Sequence, residues 1–258
     1  MCRGSYVMKH FGFGLFAATL LVAVPAQAQF FFEMGAEKSA TKDGFVLPDD
    51  RAARVIVFRP DVNVGEQTTG GLNEPNADWT KEARTALNAA LENELKSRSG
   101  EMKLMPDLAG EEAVLIDEYT RLFKAVANAA ISHKLFSGDR LPTKKDAFDW
   151  TMGPGAAKLG DLGGGDYGLF FYTYDSYGSV GRKAVQAVGL LIGVGVSSGV
   201  HIGYAGLVDL KTGELVWINA DVKMGGDVRD SEGAEKRISQ LLEDFPSSGG
   251  RGKKVGAK

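Results

Sequence analysis

Ser197 lies in Gly195-Val196-Ser197-Ser198-Gly199, the G-x-S-x-G spacing of a nucleophile elbow. A serine of that kind works on a strained strand-to-helix turn, with an acid and then a histidine later in the chain. Only His201 follows, four residues on and with no acid between, so a glycine- and serine-rich stretch accounts for the spacing without hydrolysis. Gly193, Gly195 and Gly199 loosely match a dinucleotide-binding loop. Such a loop needs a strand before it and a helix opening from it, so that pyrophosphate meets helix amides. Residues 203–210 read as a strand instead. His133 and His201 lie far apart without flanking ligands at helical or hairpin spacing, so no metal site is expected. His133 is expected near a helix end, where positive charge is favoured. Acid pairs occur at Asp49-Asp50 and at Asp227 with Asp230, and two acids at a set separation can hydrolyse glycosides. Nothing in the chain sets that separation, and Asp166 and Asp209 read as turn residues. No catalytic residue, cofactor or metal ligand is assigned, and the protein is expected not to be an enzyme.

Binding is better represented. Tyr167, Phe170, Phe171, Tyr172, Tyr174 and Tyr177 crowd one short segment. Strand alternation sends them to both faces, into the core or out to stack on a ligand. Residues 176–203 follow, glycine-rich and nearly without charge beyond Arg182 and Lys183. They sit between two strands that would otherwise pair directly. One reading buries them as a helix or strand pair, a second makes them a surface that meets a membrane or another subunit, and a third leaves them disordered. The candidate binding residues are Tyr172, Tyr174, Tyr177, Arg182, Lys183, Leu190 and Leu191.

Positioning these groups requires a scaffold. Residues 54–59 form a β-branched run stopped by Pro60, the first expected strand, and residues 61–77 read as a long loop. Asp78 is placed to cap a helix over 79–97, with Trp79, Ala83, Leu87, Ala90, Leu91 and Leu95 on one face and Gly100 past its end. A short strand at 102–105 precedes a second helix over 111–134, whose inward stripe is expected to be Leu115, Tyr119, Leu122, Val126 and Ala130. Thr143 and Asp146 have capping-box spacing for a third helix, interrupted at Gly153-Pro154 and continuing to Leu159. An aromatic strand at 167–174 follows. Runs at 205–210 and 215–219 flank Lys211-Thr212-Gly213-Glu214 and predict a hairpin. A last helix over 230–243 directs Ile238, Leu241 and Leu242 inward. The order predicts one α/β domain with a mixed sheet flanked by helices and a late hairpin.

The first residues read as a cleavable signal peptide. Arg3 and Lys9 precede an apolar run over 11–24, and Ala26 and Ala28 stand at the small-residue positions before the cut. Cys2 is the only cysteine and would leave with that segment; Gln29 stands where a lipid-anchoring cysteine would. The expected organisation is signal peptide 1–28, leader 29–50, domain 51–246 with an insertion at 176–203, and a basic, disordered tail 247–258. Phe30-Phe31-Phe32 in the leader is expected to pack on the domain or a partner. About 230 residues remain after cleavage, mildly acidic, which argues against general nucleic-acid binding.

The element order and the hairpin Leu207-Val208-Asp209-Leu210-Lys211-Thr212-Gly213-Glu214-Leu215-Val216-Trp217 resemble the periplasmic α/β domains of the curli-secretion channel family and the amino-terminal domain of TolB. The resemblance covers residues 51–245. It implies assembly and binding rather than catalysis, and in the curli channel insertions between strands cross the outer membrane as β-hairpins. This chain departs in lacking the anchoring cysteine and in being apolar throughout 187–196 rather than alternating. The expected function is a non-catalytic module of the bacterial envelope, in the periplasm or at the inner face of the outer membrane, binding an envelope protein or itself. Alternatives are a secretion or transport oligomer that inserts 184–200 in the outer membrane, and an exported carboxylate-dependent hydrolase.

Overall fold

The computed structural model describes residues 37–48, 53–97, 102–135, 140–144 and 147–246. The signal peptide, Phe30–Phe32, Asp49-Asp50, Gly100, Asp146 and the basic tail lie outside these. The described residues belong to one compact unit, Gly35–Lys258. The strands are β1 (Glu37–Thr41), β2 (Val55–Val57), β3 (Asp61–Gln67), β4 (Asn73–Pro75), β5 (Met102–Leu104), β6 (Tyr167–Gly178), β7 (Gly199–Asp209) and β8 (Leu215–Asp221). The helices are α1 (Ala77–Ser97), α2 (Glu111–Ala130), α3 (Ala157–Gly163), α4 (Val180–Leu191) and α5 (Ser231–Leu241). The domain is α/β, with a mixed eight-stranded sheet carrying helices on its faces.

β6 is the axis of the sheet. Along one edge it pairs antiparallel with β7, from Tyr167↔Asp209 to Tyr177↔Gly199. Along the other edge it pairs parallel with β2 over its first residues and with β3 over its last. β2 and β3 are one line of chain broken at Pro60, which has no N–H to give the ladder. Val57 lies opposite Leu169 and Asp61 opposite Tyr172, so the break also holds one extra residue, the signature of a bulge. The predicted loop over 61–77 is therefore a strand and a short return strand; its single valines between polar residues hide a half-buried strand. β1 adds a further strand on β8 that the leader's polar composition did not signal.

Two apolar layers result. On one face Val55, Val57, Val62, Val64, Leu169, Phe171, Ala205, Leu207 and Trp217 meet Ala83, Leu87, Ala90 and Leu91 of α1 and Ala234, Ile238 and Leu241 of α5. On the other, Phe170 stacks between Phe58 (4.1 Å) and Phe123 (4.8 Å), with Tyr204 beyond. The inward stripe of α2 is Phe123, Ala127 and Ala130, turned about one residue from the expected Leu122 and Val126. Leu122 is exposed. Phe123 takes the inner position because Gly206 opposite it has no side chain. A Cβ on Gly206 would lie 2.7 Å from the Phe123 ring.

Other boundaries moved for local reasons. The α1 cap is Asn76, whose side chain accepts from the Trp79 N–H at 3.0 Å; Asp78 lies inside the first turn. Residues 147–150 are not helical, and the helix expected from Thr143 starts only at Pro154. The hairpin and α5 stand where predicted, with Asp230 capping α5 through the Gly233 N–H at 2.7 Å.

Gly206→Ala is expected to destabilise the domain by about 1–3 kcal/mol, because the methyl group overpacks the aromatic stack. Urea melts would show a lower midpoint at unchanged slope. An unchanged midpoint would mean that Phe123 can move aside.

Candidate functional site

Four strand ends and the first residue of β1 converge at one end of the sheet. β3, β6 and β8 finish there, β7 starts there, and α4 springs from the end of β6. Ser179 caps α4 by accepting the Arg182 N–H at 3.1 Å. The helix runs twelve residues, and residues 192–198 return to β7. The Gly178 N–H closes the base on the Ser198 carbonyl at 2.8 Å, and Arg182 Nε braces it by donating to the Ser197 carbonyl at 2.8 Å.

This excursion is not a buried pair of elements. Val180 is 88% exposed, Leu190 68%, Leu191 86% and Ile192 72%. Of the eleven large hydrophobic residues exposed among the described residues, seven fall between Val180 and Val194. Gly189 packs against the return segment, leaving an apolar groove of about 420 Å³ lined by Val185, Val188, Ile192, Val194 and Val196. It is also not a β-hairpin of the kind the curli resemblance implies; it is a helix with an irregular return.

Beneath its root sits a buried charge cluster. Asp175, Thr173 and Arg237 are fully buried. Arg237 donates to both Asp175 oxygens at 2.8 Å each, and its guanidinium also reaches the Thr173 hydroxyl. The Thr173 hydroxyl lies 2.9 Å from Asp175. His201, opposite Asp175 in the ladder and partly exposed, places Nδ1 2.7 Å from the carboxylate. Burial alone would raise the Asp175 carboxyl; the hydrogen bonds from His201, Arg237 and Thr173 outweigh it and hold the group below the ordinary range. An ionised carboxylate only accepts, so His201 Nδ1 carries the proton.

The same end holds a stacked cation. Arg229 lies 4.0 Å from the Tyr177 ring centre and 4.4 Å from that of Trp79, gripped by Asp227 at 2.8 and 2.5 Å. The Arg229 hydrogen bonds hold Asp227 down at about 2. The Tyr177 hydroxyl accepts the Val228 N–H at 3.0 Å, and burial raises that phenol.

The seven residues singled out from the sequence separate accordingly. Arg182, Lys183, Leu190 and Leu191 lie together on α4. Tyr177 shares a face with His201, while Tyr172 and Tyr174 point to the opposite face. There Tyr172 stacks on Tyr204 at 4.9 Å beneath the Lys124 ammonium. Tyr177 and Tyr172 are thus occupied by packing partners. Val188, Ile192 and Val194 belong with the α4 group; the unbroken apolar run carried that signal, but as easily for a core segment. The Asp175–Arg237–His201 cluster was missed, although Asp175 breaking an aromatic strand was its visible mark.

The enzymatic motifs lie in other geometry. Ser197 sits between a helix and a strand, the reverse of an elbow, and its hydroxyl donates to the Gly199 carbonyl at 2.8 Å. The 193–199 glycines also follow a helix and precede a strand. Asp166 and Asp209 border a recess of about 590 Å³ at the far end of the sheet. There Asp166 forms a two-pronged ion pair with Arg54 (3.0 and 2.8 Å), while Asp209 accepts the Lys211 and Thr212 N–H groups of the hairpin turn. Asp227 and Asp230 lie at the α4 end, so the four acids are divided between opposite ends of β6. Among the described residues no group of three or more histidines, cysteines and acids could hold a metal ion. His133 stacks on Trp150 at 6.2 Å.

The site therefore defines an α/β domain that carries an exposed apolar excursion on a charge-pinned root. No protein-family model matches the chain, and no curated protein does. Among solved structures it is similar to the PelC dodecamer from Paraburkholderia phytofirmans at 14% identity and TM-score 0.33, covering 83% of this chain and 99% of that one. A variant of that dodecamer matches at 11% identity with the same coverage and TM-score. Lipoprotein GNA1162 from Neisseria meningitidis matches at 16% identity and TM-score 0.29, covering 74% of this chain and 94% of that one.

Arg237→Met is expected to cost about 3–5 kcal/mol by leaving Asp175 buried without its cation, and adding Asp175→Asn should recover much of that loss. Chemical denaturation of both variants measures the cycle. Asp227 titrates lower in the folded chain than its ordinary value of about 3.9, so its contribution is present above about pH 4 and lost as pH falls toward about 2. The Tm gap between wild type and Asp227→Asn should be full near neutrality and close across that window. A pH-independent gap would assign the effect to the amide's shape rather than to charge.

Proposed function

We propose that this protein is a non-catalytic binding module of the bacterial cell envelope, exported by its amino-terminal segment, and that α4 with its return segment is the docking element. The observation that carries this is the concentration of exposed apolar side chains on that excursion. Apolar surface gathered on one protruding element, over an otherwise ordinary surface, is what docking sites present. The root supports the same reading. A buried ion cluster and the base-closing hydrogen bond hold both ends of the excursion on a rigid sheet, so it can present its tip without being part of the core. Self-association and attachment to another envelope component are both docking of this kind. Tyr174, half-buried on the face away from α1 and α5, is the one tyrosine of the predicted three left to extend such a contact.

Replacing 184–198 by a short glycine linker tests this. Circular dichroism and the cooperative melt should survive, because β6 and β7 still close as a hairpin, while recovery with the envelope fraction of the expressing cells should be lost. Unfolding of the deletion would make the segment core; unchanged recovery would place docking elsewhere.

A further inference from the structure

The tip has a charge character that narrows its partner. From Ser176 to Val208 there is no aspartate or glutamate, and Arg182 and Lys183 are the formal charges. Both stand in the first turn of α4, at the root. Leu190, Leu191, Ile192 and Val194 stand at the other end of the helix, about 12 Å further on at 1.5 Å per residue. Leu72, 73% exposed, belongs to the turn beside that first helical turn, where a Cβ on Gly71 would meet the Arg182 guanidinium at 3.2 Å. Glu66 and Glu74 of the β3–β4 pair lie at strand level, behind the basic residues. The result is an apolar tip, then a basic collar, then acids set back.

Resting on the binding-module reading and naming its partner, we infer that this tip docks on the surface of a phospholipid bilayer bearing anionic headgroups, with the leucines in the headgroup–acyl boundary and Arg182 and Lys183 against the phosphates. The spacing fits: amphipathic elements seat about 5–10 Å into that boundary, and cations just behind them meet the anionic surface. The contact is interfacial: α4 has twelve residues and is about 18 Å long, short of a hydrocarbon core of about 30 Å. A second copy is the poorer occupant on charge: an identical excursion carries no acid between Ser176 and Val208 to answer Arg182 and Lys183, whereas an anionic surface does.

Vesicle co-sedimentation of the chain from Gln29 onward, with parallel light scattering without lipid, decides it. Wild type should sediment with mixed phosphatidylcholine–phosphatidylglycerol vesicles, less with phosphatidylcholine alone, and less as salt rises. The Leu190→Asp/Leu191→Asp double variant, both sites being exposed, should fold normally by circular dichroism and partition at least about tenfold more weakly. Lys183→Glu should lose about fivefold or more on mixed vesicles and little on neutral ones. Equal partition of wild type and the double variant, or no partition of wild type, overturns the proposal. If wild type ignores vesicles but the double variant dissociates an oligomer seen by light scattering, lipid is the wrong partner and the docking element stands. If the double variant changes neither measurement, both readings fall.

Discussion

Asp175 lies in the middle of an extended sheet with no solvent exposure, and a carboxylate there survives as an ion only because Arg237 reaches across from α5 to both of its oxygens. Neither group is tolerable without the other, since an unpaired buried charge costs several kcal/mol. The pair therefore fixes more than itself. It sets the height of α5 against β6, places His201 of β7 against the same carboxylate, and so ties three elements together just below the root of α4. Thr173 and the Arg229 stack between Trp79 and Tyr177 extend that clamp to the end of β6 and to α1.

The excursion depends on this rigidity. Its own contacts are few: Gly189 against the return segment, Arg182 to the Ser197 carbonyl, the backbone closure at Gly178, and the first helical turn against Thr69 and Gly71 of the β3–β4 turn. A segment with so little support and so much exposed apolar area would collapse onto any available surface unless its ends were held apart from the core. β6 and β7, paired residue for residue out to Tyr177 and Gly199, hold them. The stiff part of the molecule and the presented part are adjacent along the chain and distinct in composition, one aromatic and charged within, the other aliphatic and bare.

The opposite end of the sheet carries the polar recess at Arg54 and Asp166, but its charges satisfy one another and the hairpin turn. Asp227 and Asp230 lie together at the other end of β6, and there too the acids are engaged: Asp227 pairs with Arg229, and Asp230 caps α5 through the Gly233 N–H.

Periodicity and turn chemistry, which act over a few residues, determined α1, α5, the aromatic strand, the 207–217 hairpin and the α/β class. They could not see β3 and β1, whose polar residues form strands only because long-range ladder partners satisfy their backbone groups. Nor could they set the rotation of α2, which depended on the missing side chain of Gly206, a residue on another element. The apolar run at 184–196 was plain in the sequence, and burial in the core was the first reading it suggested. Hydrophobicity states that a segment leaves water; whether it leaves by entering its own core or by meeting another surface is decided by the space the rest of the fold provides. Here both faces of the sheet are already filled by α1, α5 and the Phe58–Phe170–Phe123 stack, and the run is left outside.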